Sequence, residues 1–188
     1  MKPGEFITAD THFGHASVLR FMPRPFADVG EMDESLIARW NAKIPTNAVI
    51  YHLGDFSFAN REKTEAILSR LNGRIRLVLG NHDRMTGGTL KRFEWAKDYY
   101  EARTPEKIKV VMQHYPLLSW NRGHHDAWCL HGHCHGGLAD TGLRRMDVGV
   151  DTHPNYEPYS FEEVAAFMVG RGPHSHHDRS DYGEQGAG

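Results

Sequence analysis

The sequence predicts an α/β protein built as a four-layer αββα sandwich, with two central mixed β-sheets face to face and helices on the outer sides. Three observations carry this expectation. The first half alternates short apolar runs with segments of helical periodicity. The second half is a succession of strand-like runs with little helix between them, and one amphipathic helix follows.

The elements can be justified in chain order. Residues 5–9 form a short apolar run that stops at Asp10. Leu36, Ile37 and Trp40 recur at helical spacing within 33–43. Residues 48–53 read as a strand, 61–71 as an amphipathic helix and 75–79 as a second buried strand. This βαβαβ order implies parallel strands with helices packed outside. Strand-like runs then occupy 99–103, 107–113, 127–131 and 144–150. The helix expected at 161–169 has Ser160 as its N-cap and Glu163 at the capping-box position. Two sheets packed on each other bury both apolar sets. From Arg171 onward the chain is polar and Gly-rich, with His174, His176 and His177, and cannot bury enough apolar surface to offset its entropy. The expected division is therefore one domain over 1–170 and a disordered His-rich tail over 171–188.

A chain of 188 residues is long enough for one domain with a real core, and 39% hydrophobic with 24% charged residues is ordinary for a soluble protein. A net charge of -2 gives no case for nucleic acid or an anionic membrane as an obligatory partner, although a local basic patch stays open. No apolar run approaches the roughly 20 residues needed to span a bilayer. The opening MKPGEFITAD has no apolar stretch of the signal-peptide kind. Cys129 and Cys134 are too close together for a disulfide framework, so reduced thiols in a cytoplasm are expected. Oligomeric state is not legible.

The polar residues fall where the predicted strands end. Asp10-Thr11-His12 follows the first, Gly54-Asp55 the second and Gly80-Asn81-His82-Asp83 the third. His114 and then Gly132-His133-Cys134-His135 end strands in the second half. Ligands of open α/β sheets bind outside the carboxyl ends of the strands, so these groups should converge. Asp10, His12, Asp55, Asn81, His114, His133 and His135 offer oxygen and nitrogen donors with no obligatory thiolate, which suits Mn²⁺, Fe or Zn²⁺. Seven donors are too many for one ion with an open position. They suit two ions sharing a carboxylate, an arrangement that clamps a phosphate and ionises water.

Those motifs, in that order, resemble the calcineurin-like metallophosphoesterases, and the runs TADTHFGH, YHLGDF and MQHYPL are similar to a small bacterial and phage branch of them. The resemblance extends from Asp10 to about Val169. It implies that Asp10, His12 and His135 hold one metal, that Asn81, His114 and His133 hold the other, and that Asp55 bridges them. The catalytic set it implies is His82, Asp55 and Asn81, with His82 protonating the departing alkoxide and a metal-bridging hydroxide attacking phosphorus in line. The implied cofactor is a pair of divalent ions, Mn²⁺ foremost, with Fe, Zn²⁺ or Ni²⁺ as alternatives. The substrate expected is a small phosphate ester, specifically a small or nucleotide-like phosphodiester. The alternatives are a phosphomonoesterase or protein phosphatase with the same site and, in another class, a non-catalytic metal-binding scaffold. The complete motif set favours an enzyme.

Other polar residues carry weaker signals. His15 lies close enough to the presumed site to reach substrate phosphate or simply to pack. Arg24, in the stiff RFMPRPF loop, either grips phosphate with its planar fork or belongs to a solvated connector. His52 and His131 are expected either to orient neighbouring ligands or to pack, and Asp83 to orient its neighbours. His124 and His125 read as exposed-loop residues. Cys129 reads as a strand core residue, and neither sulfur is expected on a metal.

Overall fold

The computed structural model describes residues 1–174; of the tail expected over 171–188, residues 175–188 lie outside the described residues. Among the described residues, nine strands form two mixed sheets. The first contains β1 (Glu5–Thr8), β2 (Val49–His52), β3 (Arg74–Val78), β4 (Trp95–Lys97) and β9 (Tyr159–Ser160), in the order β4-β3-β2-β1-β9. Its strands run parallel except β9, which pairs antiparallel to β1. The second contains β5 (Tyr100–Arg103), β6 (Lys109–Met112), β7 (Trp128–His131) and β8 (Arg145–Asp147), in chain order, with only the β5–β6 pair antiparallel. The helices are α1 (Val18–Phe21), α2 (Val29–Lys43), α3 (Arg61–Arg70), α4 (Gly87–Leu90) and α5 (Phe161–Met168).

Side-chain alternation along the strands divides the apolar residues into layers. Ile7, Tyr51 and Leu53 meet Val110, Met112, Leu130 and Met146 between the sheets, and α5 adds Phe161, Val164 and Met168 to that core. Phe6, Ile50, Ile75 and Leu77 face the other way, against Met32, Leu36, Ile37 and Trp40 of α2 and Ile67 and Leu68 of α3. On the outer side of the second sheet, Val111 and Cys129 are covered by Trp120. A short 3-10 turn at Gly123–His125 follows Trp120, so the outermost layer here is loop and turn rather than a long helix.

Local chemistry sets the helix starts. Asp28 accepts the Glu31 N–H at 2.9 Å and Asn60 the Lys63 N–H at 2.9 Å, each satisfying an otherwise orphaned donor. Ser160 and Glu163 form the reciprocal capping box read from the sequence. Two residues just past the expected boundary make backbone contacts with the domain. Gly172 bridges to Leu143, and the His174 N–H donates to the Gly123 carbonyl at 3.0 Å. Among the described residues no helix is long and apolar enough to cross a membrane.

Candidate metal centre

The loops leaving β1 and β2 are zipped together by backbone bonds that continue the sheet: Asp10 N–H to Gly54 O and His12 N–H to Asp55 O, both at 3.0 Å. Asp83 ties in the third loop by accepting from the N–H groups of Gly80 (2.8 Å), Asp55 (2.9 Å) and Phe56 (2.9 Å). From the second sheet, Gly132 N–H bonds His114 O at 3.0 Å, and His133 N–H donates to Asp10 Oδ2 at 2.9 Å. Strand ends from both sheets are thereby locked around one point.

The backbone there is strained. Asp10, His12, Asp55, His133 and His135 all take positive φ, between 48° and 69°. Non-glycine residues seldom occupy this region, and such outliers cluster at functional sites. His133 and His135 therefore reach the centre through a looped backbone, not as alternate residues of a strand. Close approach also dictates two glycines. Gly54 sits at φ +90° with its missing Cβ position 2.5 Å from Gly80 N, and a Cβ at Gly132 would lie 2.5 Å from Asp10 Oδ2. Gly132→Ala is expected to displace the Asp10 carboxylate. It should destabilise the protein by about 1–3 kcal/mol and weaken metal affinity roughly tenfold or more, as read by thermal melting and metal titration; wild-type affinity would show that Asp10 has room to move.

The seven expected ligands do come together. Asp55 Oδ1 is held by the His82 N–H at 2.9 Å, leaving Oδ2 directed inward. That oxygen lies 3.7 Å from His12 Nε2, 3.6 Å from His114 Nε2 and 4.0 Å from His82 Nε2. Donor atoms of Asp10, His12 and His135 lie within 4.8 Å of one another, as do those of Asp10, Asp55 and His114. The His133 ring lies 5.1 Å from the His114 ring, and the His135 ring 5.1 Å from that of His12.

The hydrogen bonding leaves lone pairs facing inward. His114 Nδ1 lies 2.7 Å from the Leu53 carbonyl, which can only accept, so Nδ1 carries the proton. Its Nε2 lone pair then faces Asn81 Oδ1 at 2.9 Å, two acceptors that a shared cation would reconcile. Asp10 Oδ1 and both ring nitrogens of His12 are buried without a hydrogen-bond partner among the described residues. Burial, followed by the charges of Asp147 and Asp55, pushes the Asp10 carboxyl well above the usual range. Burial, followed by His135 and Arg24, pulls His12 down to about 2, so it stays neutral. Orphaned oxygens and neutral imidazoles around a buried carboxylate pair fit divalent cations.

The weaker signals resolve differently. Arg24 is buried and does not present its guanidinium to a substrate, which corrects the expectation of a phosphate grip. Its five N–H groups meet Asp151 Oδ1 and Oδ2 (both 2.7 Å), Asp10 O (2.7 Å), Thr11 O (3.0 Å) and Met32 Sδ (3.4 Å). Asp151, not anticipated from the sequence, also accepts from His135 Nδ1 at 2.6 Å. The contact turns His135 Nε2 away from Asp151 and fixes the tautomer. Although burial pushes Asp151 up, the bonds from His135 and Arg24 hold it below the ordinary range. It directly follows the run expected at 144–150, so the strand-end rule that flagged the other ligands applies to it as well.

His15 sits at the rim, its ring stacked on Phe58 at 3.8 Å. Thr11 donates to Phe56 O (2.8 Å), so His52 Nε2 must donate to Thr11 Oγ1 (3.0 Å); burial, then His114, pulls His52 down to about 3. His131 Nδ1 lies 2.9 Å from Gly132 O. Cys129 is buried, which pushes its thiol up to about 12, and neither cysteine joins the candidate ligand groups among the described residues.

The chain is similar to an uncharacterized protein of Methanocaldococcus jannaschii, 30% identical over 170 residues that cover 87% of this chain and 90% of that protein. It is also similar to the gene 66 protein of Mycobacterium phage D29, 28% identical over 183 residues that cover 81% of this chain and 90% of that one. A solved structure of a protein of unknown function from Aquifex aeolicus shares the fold, with a TM-score of 0.71 at 23% identity, over 89% of this chain and all of that chain. Residues 6–170 match the calcineurin-like phosphoesterase family, which uses a dinuclear divalent metal centre, and the chain belongs to that family.

Proposed function

We propose that this protein is a dinuclear metal-dependent phosphoesterase acting on small or nucleotide-like phosphodiesters. The observation that carries the reading is the convergence of nitrogen and oxygen acceptors around Asp55 Oδ2, which lies 3.7 Å from His12 Nε2 and 3.6 Å from His114 Nε2. Asp10, His12 and His135 would hold one ion and Asn81, His114 and His133 the second, with Asp55 shared. Bound there, two divalent ions supply Lewis-acid polarisation of the phosphoryl oxygens and acidify water.

The chain's own groups do the rest. The His82 backbone fixes Asp55, while its side chain, 43% exposed, stays accessible at the mouth, where a leaving oxygen would need a proton. Arg24 and Asp151 hold His135 in register, and His52 pins the Asp10–His12 loop through Thr11.

Chelation is expected to abolish hydrolysis of bis(p-nitrophenyl) phosphate, and Mn²⁺ to restore it best among ions added singly. His82→Ala should keep its metal and lose roughly 10²–10⁴-fold in kcat, the loss greatest for poor leaving groups. Wild-type turnover of an alkyl ester by that variant would remove His82 from the role of general acid.

A further inference from the structure

A cavity of about 370 Å³ opens beside the metal centre, with His82 and Phe58 at its inner end and Arg61, Arg84 and Thr86 among its outer walls. The Phe58 ring lies 4.5 Å from the His82 ring and 5.1 Å from that of His12, so the cavity begins where the candidate ligands end. The volume is enough for a nucleoside-sized group.

Its charge is distinctive. Arg61, 65% exposed, spends only Nε on Glu65 (2.8 Å) one turn along α3. Arg84 follows His82 by two residues, its N–H bonded to the His82 carbonyl at 2.8 Å, and its guanidinium has no hydrogen-bond or carboxylate partner among the described residues. Thr86 precedes α4 without a side-chain capping bond, leaving its hydroxyl available. A chain with net charge -2 thus carries two planar cationic forks on the His82 side of its centre. Arginine forks match phosphate oxygens bidentately.

We propose that this cavity is the leaving-group subsite and that it takes an alcohol which itself bears a phosphate, as the next nucleotide of a chain does. The inference rests on the phosphoesterase reading, because His82, the proton donor to the departing oxygen, forms the cavity's inner wall. Water supplies the oxygen of the new P–O bond as the scissile P–O bond breaks toward His82, whose proton passes to the departing oxygen, and the released alcohol lies between Phe58 and the two arginines. The preferred substrate is therefore a phosphorylated nucleotide chain end rather than a diester whose departing alcohol carries no phosphate, recognised through charge and not through base identity.

The test compares thymidylyl-thymidine with its 5′- and 3′-phosphorylated forms, using Mn²⁺-reconstituted protein. One phosphorylated form is expected to be cleaved with about tenfold higher kcat/KM than the unphosphorylated dinucleotide, and this ratio should fall to near 1 in R61Q/R84Q. Equal cleavage of all three, or a preference that survives both substitutions, overturns the subsite. Calorimetry supplies a readout independent of turnover: thymidine 3′,5′-bisphosphate should bind about tenfold more tightly than thymidine 5′-monophosphate, and R61Q/R84Q should erase the difference. Indifference to the second phosphate overturns the subsite even in an active enzyme. Inactivity of the reconstituted protein on every diester, with selective bisphosphate binding intact, overturns the phosphoesterase reading and keeps the anion site.

Discussion

Asp55→Ala is expected to strip metal and activity together, with metal content falling from about two ions per chain to less than one and kcat/KM falling by at least roughly a thousandfold. The reason lies in one oxygen. Asp55 Oδ2 faces His12, His114 and His82, while Oδ1 is anchored by a backbone N–H, so the carboxylate cannot be replaced by rotation of a neighbour. Asp55 also sits at φ 56°, where alanine adds backbone strain of about 1–2 kcal/mol. Asp55→Asn, which tolerates that conformation, separates the two effects: it should retain the melting temperature better yet still lose metal. Elemental analysis after gel filtration, beside kinetics, decides the matter. Two tightly bound ions in Asp55→Asn would show that the shared carboxylate is dispensable.

Arg24→Ala is expected to be the most damaging change to stability. It strands the Asp151 carboxylate and bares the carbonyls of Asp10 and Thr11, with Arg24 and Asp151 both nearly inaccessible to solvent. Breaking a buried pair from one side costs about 3–5 kcal/mol, which for a domain of this size lowers Tm by roughly 6–20 °C. Arg24→Lys should rescue only part of the loss, because an ammonium cannot span two carboxylate oxygens and two carbonyls at once. Thermal melting of the metal-free protein reads this without any contribution from catalysis. A Tm within a degree or two of wild type would mean that Asp151 finds another partner or is protonated.

Asp55 and Arg24 differ in how much of their role the chain itself reveals. Asp55 announces itself through type and place: a carboxylate behind a glycine at a strand end, one of a series with Asp10, Asn81 and His114. The main elements are legible for the same reason, since strand alternation and helix periodicity are local properties that report which face is buried. Strands β4 and β9 escape because three and two residues are too few to show a period. Arg24 announces only its cationic fork. Whether that fork meets substrate or a carboxylate depends on Asp151, which is 127 positions away in the chain.

By itself, then, the sequence determined the order of the main strands and helices, the donor types and the strand ends where they would sit, because these follow from residue chemistry and short-range pattern. Only the tertiary structure decided the rest: that Arg24 faces inward to hold Asp151 and His135, that five candidate ligands adopt left-handed backbone, and that Arg61 and Arg84 border one cavity beside His82. Those are consequences of loops from two sheets meeting at one point. Which partner a buried charge finds there is set by long-range packing and desolvation, and no local pattern records it.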